Sequence, residues 1–129
     1  MHSPKILIVD DSGPMRRTIM SLLRKVAGEF HECSDGDEAA DAYASFGPDW
    51  VVMDIKMERI DGIEATRRIV ADYPEAKIAI VTSYDEPGLE AVAREAGARA
   101  FVLKEDLRSL SRIVLDSGPL DPAAVCSRR

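Results

Sequence analysis

The chain has 129 residues, 46% of them hydrophobic, which is enough for one domain with a real core. Its formal net charge of -6 is the wrong sign for broad binding to nucleic acid or anionic membranes, which takes a basic face. No apolar run approaches the ~20 residues of a membrane helix, and the opening MHSPKILIVDD lacks a secretory signal pattern, so a cytoplasmic protein is the expectation.

Strand and helix signals alternate along the chain, with no internal repeat and no low-complexity segment. Residues 5–9 (KILIV) form a continuous apolar run, as in a strand covered on both faces. Ser12 can cap the helix that follows, with Gly13 and Pro14 in its opening turn. Met15, Ile19, Leu22 and Val26 recur on one helical face, and Gly28 ends the helix. Residues 29–33 (EFHEC) make a mixed, weaker strand that suits a sheet edge.

Asp35–Gly36 makes a turn into a helix over residues 37–46, with Ala40, Tyr43 and Ala44 inward. Gly47–Pro48 stops that helix. Residues 50–53 (WVVM) form the third strand. A helix over 62–73 presents Ile63, Thr66, Val70 and Tyr73, and Pro74 closes it. Residues 77–81 (KIAIV) are the fourth strand. Asp85 can cap a helix over 86–96, with Pro87 in its first turn and Gly97 past its end. Residues 99–103 (RAFVL) are the fifth strand, and a helix over 106–116 buries Leu107, Leu110, Ile113 and Val114.

Single helices between strands predict a doubly wound α/β fold with a parallel sheet. For five (βα) units the expected arrangement is flavodoxin-like, strand order 2-1-3-4-5. Residues 1–116 would be the domain, and 117–129, aperiodic and with two prolines, a flexible tail. Cys33 and Cys126 lack metal-ligand spacing and read as free thiols, and His2 and His31 as surface residues.

Four polar marks follow the strands: Asp10–Asp11 after KILIV, Asp54 after WVVM, Thr82 after KIAIV and Lys104 after AFVL. The ends of parallel strands share one edge, where such folds place their sites, so these groups should meet in one crevice. Clustered carboxylates repel and titrate as a coupled set, and a hard divalent cation relieves this. Mg2+, or Mn2+ in its place, fits an all-oxygen set with several waters retained. Lys56, two residues after Asp54, can lend a backbone carbonyl. An aspartate beside such a cation, with a lysine opposite, can act as a nucleophile toward phosphorus. Lys104 and Thr82 would then hold the phosphoryl oxygens.

On ILIVDDSGPMR, SDGDEA, VVMDIKMERIDG, IVTSYDE and EAGARAFVLK, the chain resembles response-regulator receiver domains, the phosphoacceptor modules of two-component signalling, over about residues 4–116. The resemblance implies that Asp54 is the phosphorylated aspartate, and that Asp10, Asp11 and the Lys56 carbonyl bind Mg2+. It further implies that Thr82 moves to bond the phosphoryl group, that Lys104 pairs with it, and that Phe101 is the aromatic switch. Asp61–Gly62 match the pair that opens the third helix. Lys56 and Tyr84 stand where their side chains would shield the aspartyl-phosphate from water. Two positions depart from the family pattern: Glu58 and Glu105 replace prolines after Met57 and Lys104. A non-proline cis bond costs ~2.5–4 kcal/mol, so trans is expected at Lys104–Glu105, with the strained form left open.

The implied function is a phosphorylation-dependent switch rather than an enzyme acting on other substrates. Its donor would be a histidine kinase or a histidine phosphotransfer protein. Its output would pass through the fourth helix, fifth strand and fifth helix, about residues 85–116, to a downstream protein or to a second copy. Two rivals are distinguishable. A pseudo-receiver would bind partners without phosphorylation, yet every reacting group is present. A Mg2+-dependent phosphohydrolase would carry DxD at the first strand and a cap insertion, and this chain has neither.

Overall fold

Four apolar residues in succession, Ile6–Val9, leave no face of their strand for water, and both faces are covered in the computed structural model, which describes residues 3–57, 60–83 and 86–115. The strands are β1 (Lys5–Val9), β2 (Glu29–Cys33), β3 (Trp50–Asp54), β4 (Ile78–Thr82) and β5 (Ala100–Leu103). They pair in parallel, in the order β2-β1-β3-β4-β5. The expected doubly wound topology is therefore present. β2 lies at an edge, and its exposed Glu29, His31 and Glu32 explain why its pattern is mixed.

Successive strand residues point to opposite faces, so each inner strand feeds two cores. Leu7, Val9, Val51, Met53, Ile78 and Ile80 pack on one side, toward α2 (Ala39–Phe46), α3 (Gly62–Asp72) and α4 (Leu89–Ala96). Ile6, Ile8, Val52 and Val81 pack on the other, against Ile19 and Leu23 of α1 (Gly13–Leu23) and Leu110 and Val114 of α5 (Ser109–Leu115).

The helix boundaries differ most from those the sequence predicts. α1 ends at Leu23, short of Val26, because the amides of Val26 and Ala27 both turn back to the Leu23 carbonyl. Leu23, one turn on from Ile19, is the fully buried residue, and Leu22 only flanks it. A 3-10 turn over Gly36–Glu38 delays α2 to Ala39, so Ala39 and Ala42 take the buried positions and Ala44 is exposed. α4 begins at Leu89 rather than at 86, because Gly88 has φ 83, a left-handed conformation no helix interior admits. The expected cap, Asp85, lies outside the described residues, as do His2, Tyr84, Cys126 and the tail over 117–129. α5 starts at Ser109, after a 3-10 turn over Lys104–Asp106.

The expected Ser12 cap is present, and Asp61 caps α3. The Ser12 hydroxyl accepts from the Met15 amide at 3.2 Å, and the Asp61 carboxylate from the Glu64 amide at 2.8 Å. Among the described residues, no helix is long and apolar enough to cross a membrane.

Candidate functional site

Register alone brings the polar marks together. Val9 pairs with Met53, Asp54 with Val81, and Thr82 with Leu103. Asp10, Asp54, Thr82 and Lys104 therefore stand at neighbouring strand ends on one edge of the sheet.

Asp10 is 1% exposed, and most of its polar atoms are tied to protein. Its amide donates to the Cys33 carbonyl at 3.1 Å, which continues the β1–β2 pairing past the strand end. Its Oδ1 accepts from the Ser12 amide at 2.9 Å, which turns the chain out of the strand and leaves Asp11 exposed. Its Oδ2 lies 3.4 Å from Lys104 Nζ but takes part in no hydrogen bond. Lys104 Nζ also lies 3.3 Å from Asp54 Oδ1, so one ammonium group bridges two buried carboxylates. Thr82 is 1% exposed at the end of β4.

Burial raises the Asp54 pKa from 3.8 to about 6, with the negative charge of Asp10 adding to the shift, the Lys104 ammonium opposing it, and Asp11 adding a smaller push upward. This has a consequence for stability. In the metal-free protein the carboxyl binds its proton more tightly when folded than when unfolded. The stability this gives is fully present below about pH 4 and is lost as pH rises through about 6. Asp54→Asn removes the cost of burying that charge. In chelator at pH 7 the variant is expected to exceed the parent in stability, by up to about 3 kcal/mol. Urea denaturation at pH 4.5 and 7 checks this: the gap should widen toward pH 7, and an equal gap at both would contradict it.

The donor set fits a hard divalent cation. Asp10, Asp11 and Asp54 each present one oxygen within 4.8 Å of the others. Asp10 Oδ2 is a buried oxygen still able to accept a ligand bond, and the set is all oxygen, as Mg2+ prefers. Lys56, the expected source of a further carbonyl, is exposed just past β3.

Phe101 is partly buried on β5, beside a cleft of about 260 Å3 shared with Glu90, Asp106 and Ile113. Among the described residues no peptide bond is cis, so Lys104–Glu105 is trans, and Glu105 is exposed. Tyr84 and Glu58 lie outside the described residues.

Three residues enter the site without having been singled out for it. Arg16 Nη1 donates to the Asp10 carbonyl at 2.6 Å. Asp35 Oδ1 accepts from the Ile60 amide at 3.1 Å, anchoring the loop that follows the central strand. Gly62 donates its amide to the Ile55 carbonyl at 2.8 Å, and a Cβ at this position would collide with the Asp54 carbonyl. Arg16 stands one turn past the Ser12 cap, at a spacing that places its long side chain back over the strand end, and this was the available signal.

Comparison with known proteins agrees with this geometry. The family model described as the response regulator receiver domain matches residues 6–114. The chemotaxis protein CheY of Thermotoga maritima is 35% identical over 101 residues, 78% of this chain and 84% of that protein. A crystal structure of a two-component response regulator of the LuxR family from Aurantimonas sp. SI85-9A1 superposes with TM-score 0.82 at 31% identity, covering 99% of this chain and 89% of the other. A chain of the CheX–CheY–BeF3–Mg2+ complex from Borrelia burgdorferi superposes with TM-score 0.74 at 25% identity, covering 96% and 84%.

Proposed function

The chain belongs to the response-regulator receiver-domain family, and from that premise we propose that it is a phosphorylation-dependent switch whose phosphoacceptor is Asp54. The observation that carries this reading is the bridge of Lys104 between Asp54 and Asp10, beside an oxygen cluster suited to a divalent cation. A neighbouring fold crystallised with Mg2+ supports the choice of metal.

Asp10, Asp11, Asp54 and the Lys56 carbonyl would hold the cation, which when bound neutralises charge on the phosphoryl oxygens. The donor is a phosphohistidine of a histidine kinase or a phosphotransfer protein. An Asp54 carboxylate oxygen forms a bond to phosphorus as the nitrogen–phosphorus bond of the donor breaks, and the imidazole leaves with the electron pair and gains a proton. Lys104 pairs with the phosphoryl group, and the Thr82 hydroxyl donates to it. The chain acts on no separate substrate: water attack on the aspartyl-phosphate returns it to rest. The Lys56 and Tyr84 side chains slow that attack, a role read from the decay of the phosphorylated form in Lys56→Ala.

Thr82 and Phe101 link the acceptor to the face formed by α4, β5 and α5, which a downstream protein or a second copy would read. The formal charge of -6 fits a protein partner in the cytoplasm rather than nucleic acid. Amide NMR spectra with and without acetyl phosphate and Mg2+ test the switch. Shifts should extend from Asp54 through Thr82 and Phe101 to α4 and α5. Shifts confined to the neighbours of Asp54 would contradict it and favour an interaction module that phosphorylation does not control.

A further inference from the structure

Asp10 is the most constrained acid of the cluster, and its constraint runs outside the cluster. Arg16 reaches back from α1 and donates from Nη1 to the Asp10 carbonyl at 2.6 Å. The same guanidinium donates from Nε to Glu32 Oε1, on edge strand β2, at 2.8 Å. Its own amide is fixed to the Ser12 carbonyl at 3.0 Å. The Asp10 amide is already held by the Cys33 carbonyl of β2 at 3.1 Å. The peptide groups on both sides of Asp10 are thus tied to β2, directly on one side and through Arg16 and Glu32 on the other. With Oδ1 held by the Ser12 amide, only Oδ2 is left without a hydrogen bond.

We infer that Arg16 is a positioning residue for the cation site: its clamp on the Asp10 carbonyl, braced by Glu32, aims Asp10 Oδ2 into the cluster. The inference rests on the reading of that cluster as a divalent-metal site. Outer partners that orient a metal-ligating group are typically worth 10–100-fold in metal affinity. Simple electrostatics gives the opposite sign, since a guanidinium near a cation repels it and its loss should tighten binding. A lysine keeps that charge but not the planar fork that spans two acceptors.

The test is Mg2+ titration by calorimetry on the full chain, with parent, Arg16→Ala and Arg16→Lys compared and the fold of each checked by circular dichroism. Both variants are expected to bind Mg2+ about 10-fold more weakly. The Mg2+ concentration for half-maximal phosphorylation by acetyl phosphate should rise by the same factor. Tighter binding in Arg16→Ala, or parent-like binding in Arg16→Lys, would overturn the inference. A parent that binds no Mg2+ would overturn the metal reading itself and the inference with it.

Discussion

Replacing Lys104 with alanine is expected to slow phosphoryl transfer to Asp54 by at least ~100-fold, the usual loss when one preorganised charge or donor is removed from a transition state. Lys104 already lies 3.3 Å from Asp54 Oδ1 and 3.4 Å from Asp10 Oδ2, with its side chain only 19% exposed. Little reorganisation is then needed when charge builds on the phosphoryl oxygens. The substitution has a second effect, since it leaves two buried carboxylates without their counter-ion. Asp54, already raised to about 6, is expected to rise further because Lys104 is the group holding it down. A larger fraction of the nucleophile would then be protonated at a given pH unless a cation is bound. Initial rates of mass gain in acetyl phosphate and Mg2+ measure the first effect. A rate within about 3-fold of the parent would remove Lys104 from the chemistry.

Gly62→Ala should destabilise the protein by about 3 kcal/mol, the upper part of the usual overpacking range. The added methyl meets the Asp54 carbonyl and also Met53 Cγ at 2.9 Å. Most of what it meets is backbone, which cannot rotate out of the way. Either α3 must lift from β3 or the acceptor end of β3 must shift, and in the second case the rate at Asp54 falls as well. Denaturant unfolding gives the first quantity and the phosphorylation rate the second. A loss below about 0.5 kcal/mol would mean that the joint between β3 and α3 yields freely.

These two positions illustrate what the sequence discloses. The sheet was legible because buried strands such as Ile6–Val9 and Ile78–Val81 write themselves as unbroken apolar runs, and parallel order then aligns their ends. Asp10, Asp54, Thr82 and Lys104 meet for that reason alone. Helix limits were less legible. Apolar spacing ran through Val26, and the cap and proline signals of Asp85 and Pro87 put the start of α4 at 86, whereas the backbone stops α1 at Leu23 and cannot start α4 before Gly88.

Contacts that depend on side-chain reach were the least legible. The spacing of Arg16 from Ser12 gives its direction but not its target, the Asp10 carbonyl, and nothing in the string of residues says that Asp35 reaches the Ile60 amide 25 residues away. In the sequence Gly62 is a helix opener, and only the packing of α3 on β3 shows that its missing side chain leaves room for the end of β3. In the sequence Lys104 reads as a partner of the phosphoryl group. The structure adds that it pairs with Asp10 and Asp54 before any phosphoryl group arrives.

In the proposed function Asp54 accepts a phosphoryl group with the help of a divalent cation. Intact-protein mass spectrometry after incubation with acetyl phosphate and Mg2+ tests it most directly, on the parent and on Asp54→Asn, each with and without chelator. One added phosphoryl group is expected on the parent, none on Asp54→Asn, and none when the cation is removed. Equal incorporation in the parent and Asp54→Asn, or incorporation indifferent to chelator, would contradict it.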